Sequence, residues 1–314
     1  MTRPLRSQLA AAALVALFAG PASASFSNAF FFGDSLSDTG NVLAFGQMPA
    51  GPYYQGRFSD GPVWVEYLAA GIGHAVAAKA NYLGGNNYAI GGARVASGAT
   101  SVLNQIGTFS SNYAVADPNA LYVVVAGGND MRDARSGNPA NIDTAAAAAA
   151  NNLKTAIDQL AGKGAKHFLV ANLPDLGATP EAMMLGLTAA STQATNAFNA
   201  EMSGVVSYGQ GLGLTMSFFD FAALSATVRN DALNNGGGLY GITNVTTSCG
   251  SFQFSPGTSC AVSQFSDALH PSAVSHALMG AAAIAAVPEP ETYGLMALGL
   301  GVIGFMSRRR RAGA

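Results

Sequence analysis

The chain has 314 residues, of which 49% are hydrophobic and only 10% charged, with a formal net charge of −2. That length buries a full core without metal or disulfide staples, and the composition is the reverse of a solvating, disordered tail. Sparse and slightly acidic charge also argues against a nucleic-acid surface, which needs clustered Lys and Arg.

Taken in chain order, Met1 to Ala24 carries Arg3 and Arg6, an apolar run from Leu9 to Ala19, and the small-residue close Pro21-Ala22-Ser23-Ala24. A basic start, an apolar stretch too short to span a bilayer and a small-x-small cleavage site are the parts of a secretory signal peptide. Residues 1–24 are therefore expected to be a signal peptide, residues 25–287 a single folded domain, and residues 288–314 a second address.

The body alternates short apolar runs with helical patterns. Ala29-Phe30-Phe31-Phe32, ending at Gly33, reads as a fully buried strand, and Leu121 to Ala126 as the clearest one. His167 to Asn172 and Leu214 to Asp220 read as two more, with a weaker candidate at Asn86 to Ile90. Helices are expected from Asp143, as cap, to Ala161 with Gly162 as the stop, from Leu187 to Tyr208, and from Ser272 to Ala285. Strands apolar throughout and separated by helices call for a parallel sheet covered on both faces. Such a sheet binds its ligands beyond the carboxyl ends of its strands.

At the far end Val287-Pro288-Glu289-Pro290 precedes an uncharged run from Thr292 to Ser307 and the block Arg308 to Arg311. The run falls short of the roughly 17–25 residues of a comfortable membrane span, and the arginines belong on the cytoplasmic side. Setting both ends aside removes six of the 15 basic residues and two of the 17 acidic ones, so the body carries about −6. No nucleic-acid partner is expected. Cys249 and Cys260 lie close together in a stretch rich in Gly, Ser and Thr, and in an oxidising compartment such a pair is most simply a disulfide. No zinc site is expected: among His74, His167, His270 and His276 none opens an H-E-x-x-H, and no ligand spacing surrounds the cysteines.

Two clusters carry the chemistry. Gly33-Asp34-Ser35-Leu36-Ser37-Asp38-Thr39-Gly40-Asn41 follows the first strand. A serine where a strand turns into a helix would present its hydroxyl at the rim of the sheet, with its N–H at a helix N-terminus that favours negative charge. Asp267-Ala268-Leu269-His270-Pro271 puts a carboxylate three residues before an imidazole. On one tight turn the acid reaches one ring nitrogen and leaves the other for a serine proton. Ser37 is read as a helix cap, and His167 and His276 as structural residues. Gly236 to Gly241 and Gly299 to Gly304 match G-x-G-x-x-G, but neither follows a strand and opens a helix. There is no G-x-S-x-G elbow.

At these blocks the sequence resembles a known family. Gly33 to Asn41 is similar to the first block of the GDSL, or SGNH, hydrolases, Asn87-Tyr88-Ala89-Ile90-Gly91-Gly92-Ala93 to the second, and Gly127-Gly128-Asn129-Asp130 to the third. Asp267 to His270 is similar to the fifth, and the blocks run in family order from Phe31 to Pro271. Gly56-Arg57-Phe58-Ser59-Asp60-Gly61 with Trp64, and Tyr240 to Val245, resemble the long branch that includes plant lipases and bacterial lecithinase-like enzymes. The resemblance implies a three-layer α/β/α, flavodoxin-like fold with about five parallel strands. It implies acyl-ester hydrolysis with no cofactor: Ser35 as nucleophile, His270 as base, Asp267 orienting it, and Ser35, Gly92 and Asn129 receiving the oxyanion. Pro288-Glu289-Pro290, the apolar run and the arginines resemble the PEP-CTERM sorting signal. That implies transient inner-membrane anchoring, exosortase-type processing, and release to the surface or beyond. The rival readings are an O-acetylesterase acting on exopolysaccharide and a silent surface protein built on the same scaffold.

Overall fold

Phe30, Phe31 and Phe32 have nowhere to point except into protein, and the computed structural model buries all three. The structure describes residues 26–47, 53–249 and 258–287, and the compact unit they build runs from Ser27 to Val287. The expected signal peptide and the sorting segment lie outside the described residues. Among the described residues no helix is long and apolar enough to cross a membrane.

Strands β1 (Ala29–Gly33), β2 (Leu121–Val125), β3 (His167–Ala171) and β4 (Thr215–Phe219) form a parallel sheet in the order β1-β2-β3-β4. Ala29 pairs with Leu121, Leu121 with His167, and His167 with Thr215, so the four strands start in step. The fifth candidate, Asn86 to Ile90, is not a full strand. It follows the free edge of β1 through Phe31 N–H to Asn86 O, Tyr88 N–H to Phe31 O and Ile90 N–H to Gly33 O, with one parallel bridge at Asn87. The Asn87 side chain explains the interruption. It turns back to accept from Ala89 N–H and to donate to Ser37 O, drawing the segment toward the loop after β1.

Helices α1 (Asn41–Ala44), α2 (Trp64–Gly71), α3 (Val102–Asn112), α4 (Gly128–Ser136), α5 (Ile142–Gly162), α6 (Pro180–Met184), α7 (Thr188–Gly211), α8 (Phe221–Asn235) and α9 (Ala273–Ala286) fill the connections. Phe30, Phe32, Tyr122, Val124, Phe168 and Val170 alternate onto one face of the sheet, where they meet Ile106 and Phe109 of α3, the alanine-rich side of α5, and Phe198 of α7. The other face is covered by α2 and α9, which pack so closely that a Cβ on Gly280 would lie 2.3 Å from Tyr67. Fully burying one such phenylalanine is worth about 1.5–3 kcal/mol. Asp143 does not cap α5: Asn141 takes the cap position and Asp143 lies in the first turn, where its charge suits the helix dipole. At α9 the cap is Ser272, whose hydroxyl accepts from Ser275 N–H.

This topology places a seam. β1 has a neighbour on each side, one reached from Asn86 to Ile90 and one from β2, so the connections leaving it diverge. In open parallel sheets the crevice at such a point is where ligands bind. The loops after β1, after Asn86 to Ile90 and after β2 all open there.

Candidate active site

The first loop is pinned from several directions. Gly33 is needed at the end of β1 because a Cβ there would sit 2.4 Å from Val125 O. Its N–H and carbonyl are taken by the Gln105 amide of α3, at 2.9 and 2.8 Å. Five residues on, the buried Asp38 carboxylate accepts from the N–H groups of Gly40, Asn41, Val42 and Gly91. Burial pushes its pKa up, and those four donors counter it. Asn41 donates to Asn87 O and Ala89 O, so the two loops are stitched together before any ligand arrives.

Ser35 sits in a turn, not at the start of a helix. α1 opens six residues later and has only four residues, so the helix-terminus advantage expected for Ser35 is absent. Ser37 likewise caps nothing and instead accepts from the Trp64 indole at 3.2 Å.

The structure brings Ser35, Asp267 and His270 together across 235 residues of sequence. His270 Nε2 lies 2.8 Å from Ser35 Oγ, and His270 Nδ1 lies 2.6 Å from Asp267 Oδ2. An ionised carboxylate only accepts, so Nδ1 carries the ring proton and Nε2 offers its lone pair to the serine hydroxyl. Asp267 Oδ1 accepts from the N–H groups of Leu269 and His270, and Oδ2 also accepts from Tyr53 Oη at 2.7 Å. Burial opposes the Asp267 charge, but His270 and these hydrogen bonds overcome it and hold the carboxyl well below the usual carboxylate range. Asp267 is therefore ionised throughout the working pH range.

Sequence reasoning missed the Tyr53 contact, which no local spacing signals because 214 residues separate the partners. Burial, with the charge of Asp267, pushes the Tyr53 phenol up and keeps it a donor. The Gly56–Gly61 stretch, noticed only as a subfamily match, has a mechanical task. Phe58 packs on the His270 ring at 5.1 Å between centroids, and Asp60 accepts from Ser266 Oγ and Ala273 N–H. Asp267 and His270 are thus gripped on both flanks. His276 is fully buried, accepts from Trp64 N–H, and is driven by burial to a pKa of about 3. It is a neutral structural residue.

Gly92 adopts φ +78°, with open space where a side chain would stand, and lines the cleft beside Ser35. Asn129, in the first turn of α4, donates one amide hydrogen to Ala93 O at 2.9 Å, and its Oδ1 accepts from Arg132. Those two contacts set which way the amide faces, and the side chain lines the cleft beside Ser35. Arg132 was also missed, although its place three residues after Asn129 on one helix puts the two side chains together. Glu181 bonds Arg132 and Arg135 together, and its N–H donates to Ala268 O inside the Asp267–His270 loop.

Asp34 shows the opposite electrostatics from Asp267. Burial outweighs the Leu36 N–H and the attraction of His270, and pushes its carboxyl up to about 6. An acid raised on folding keeps its proton where the unfolded chain has lost it, so its stabilising proton is present below the unfolded value near 4 and lost as pH rises to about 6. Asp34→Asn is expected to be more stable than wild type above pH 6, by up to about 3 kcal/mol, with the difference vanishing below pH 4. Denaturant unfolding at pH 4 and pH 8 measures it, and an equal ΔΔG at both would refute the assignment.

Cys249 and Cys260 form the expected disulfide, closing an 11-residue separation. Cys249 N–H bonds to Phe265 O, and its sulfur lies 3.6 Å from Ser266 O, one residue before Asp267. The two sulfurs also neighbour the Asp60 carboxylate, but joined to each other they offer no thiolate to a metal. Reduction is expected to cost roughly 2–3 kcal/mol of stability. A melting temperature unchanged by dithiothreitol would show that the bond clamps nothing.

A model of the GDSL-like lipase/acylhydrolase family matches residues 30–283, from the first strand to the last helix. The chain belongs to that family. A second model, the PEP-CTERM protein-sorting motif, matches residues 286–311, a signal for export and surface sorting. Among curated relatives, this GDSL-family chain is 33% identical over 165 residues to a phosphatidylcholine-sterol acyltransferase of Aeromonas hydrophila, covering 50% of the chain and 47% of that protein. It is 30% identical over 245 residues to esterase EstA of Pseudomonas aeruginosa, covering 65% of the chain and 37% of that protein. It therefore spans less than half the length of either. A solved GDSL-family structure from Veillonella parvula is 15% identical, covering 82% of this chain and 96% of its own, with a TM-score of 0.44.

Proposed function

We propose that the chain is an exported carboxylic-ester hydrolase that works through an acyl-enzyme on Ser35. The observation that carries this reading is the continuous relay from Ser35 Oγ through His270 to Asp267, at 2.8 and 2.6 Å. His270 takes the Ser35 proton as the oxygen attacks the ester carbonyl and returns it to the departing alcohol. Asp267 holds the ring and stabilises the imidazolium. The N–H groups of Ser35 and Gly92 and the Asn129 amide receive the carbonyl oxygen as it becomes negative. Water then repeats the sequence on the acyl-enzyme and releases the acid.

The cleft beside Ser35 supports an ester with an extended apolar chain over a simple acetate. Leu173, Leu176, Phe221, Val228, Phe265 and Met279 line it, and all are buried. An acetyl group would leave those walls unfilled, whereas a hydrocarbon chain gains about 0.8 kcal/mol per buried methylene. In the same reading residues 1–24 direct export. The Pro-Glu-Pro segment, with its apolar run and arginines, anchors the chain briefly in the inner membrane until exosortase-type machinery removes it. Labelling by a fluorophosphonate that is lost in Ser35→Ala, together with hydrolysis of a p-nitrophenyl ester series, tests the enzymatic reading. A chain that neither labels nor hydrolyses any ester would be the silent scaffold instead.

A further inference from the structure

The apolar cleft contains one feature that a plain hydrocarbon chain does not satisfy. Gln264, on the short strand Ser263–Phe265, lines the cleft and is 6% exposed. Its Nε2 donates to Ser225 Oγ of α8 at 3.1 Å, and its Oε1 has no hydrogen-bond partner. Turning the carboxamide over would only exchange which end is idle. Among the described residues four buried side chains have an unpartnered polar atom, namely Arg135, Asp231, Gln264 and His276. Only Gln264 of the four lines this cleft.

A buried acceptor without a donor is costly, and the cost is recovered when a ligand supplies one. The donor has to arrive on an otherwise apolar group, because Leu224, Val228, Phe265 and Leu278 share the wall. A hydroxyl meets that need without carrying a charge into the apolar wall, whereas an ammonium would have to be desolvated there. The chain in question belongs to the acid. The leaving alcohol must depart before water enters, which suits the more exposed side beside Phe58, Gly92 and Ala268. The acyl part then occupies the buried side.

Building on the ester-hydrolase reading, we propose that the preferred substrates are esters of fatty acids that carry a hydroxyl on the chain, with that hydroxyl donating to Gln264 Oε1. Sites built to bond a substrate hydroxyl discriminate strongly against the analogue lacking it. The test compares p-nitrophenyl dodecanoate with its monohydroxy positional isomers, corrected for spontaneous cyclisation, using the full exported protein and Gln264→Met. Wild type should turn over at least one isomer with kcat/KM about tenfold or more above the parent chain. Gln264→Met, which fills the space without offering the acceptor, should bring that ratio close to one. Because the ratio is taken within each protein, partial loss of folded variant leaves it unchanged. A parent chain faster than every isomer in wild type, or a preference that survives in Gln264→Met, overturns the proposal. p-Nitrophenyl acetate separates the two readings. Acetate turnover that depends on Ser35, without any hydroxyl preference, sinks this inference alone, whereas no turnover of any ester sinks both.

Discussion

Ser35→Ala and His270→Ala are each expected to lower kcat on a soluble ester by on the order of 10⁶, with no loss of stability larger than about 1 kcal/mol. The size of the effect follows from the geometry. Among the described residues Ser35 Oγ is the hydroxyl bonded to the His270 imidazole, and since the two act as nucleophile and base, removing either would leave the other with nothing to do. The two changes should also fail to add: Ser35→Ala/His270→Ala should be as slow as either single variant, because the residues act as one unit. Steady-state rates on p-nitrophenyl butyrate measure this. A variant retaining a tenth of the wild-type rate would mean that another group attacks the ester, and the assignment of Ser35 would be withdrawn.

Asn129→Ala is expected to fold and to lose about 10²–10³ in kcat while KM changes little. Its amide would act on charge that exists only in the transition state, which is why the loss falls on turnover and not on binding. Ala93 O and Arg132 give up a partner in this variant, but Arg132 keeps Glu181. Asn129→Asp sharpens the test. It nearly preserves the shape but turns a donor toward the oxyanion into an acceptor, and it should be slower than Asn129→Ala. Equal rates for the two would place the oxyanion elsewhere. So would a loss confined to KM.

What the local pattern discloses differs from site to site. β1 and β2 are readable because every residue in them is apolar, which an unbroken run of Phe or Val announces. α2, α3, α4 and α8 are not, because their buried faces are short or carry polar groups that only tertiary partners explain. Arg135 on α4 is buried against Ser191 and Glu181, and Gln105 on α3 completes the edge of β1. The Asn86 to Ile90 segment reads as a weaker fifth strand candidate, with Tyr88-Ala89-Ile90 apolar, yet Asn87 spends its side chain on the neighbouring loop. Composition records the presence of such a residue without saying which partner it will choose.

Ser35, Asp267 and His270 could be proposed from short local patterns of functional groups, and Gly92 and Asn129 from the resemblance to the GDSL blocks, because sequence records both group and spacing. The amino-acid order by itself also determined the parallel α/β class, since fully apolar strands between helices have few other ways to be buried. Only the tertiary structure decided that Tyr53 and Phe58 brace the Asp267–His270 pair, that Asp34 is pushed up while Asp267 is held down, and that Gln264 lines an apolar cleft with its Oε1 unpartnered. Those properties depend on distance through space between residues far apart in sequence, 214 positions in the case of Tyr53 and Asp267. Electric fields, burial and hydrogen-bond partners are set by what surrounds a group in the fold, not by its neighbours along the chain.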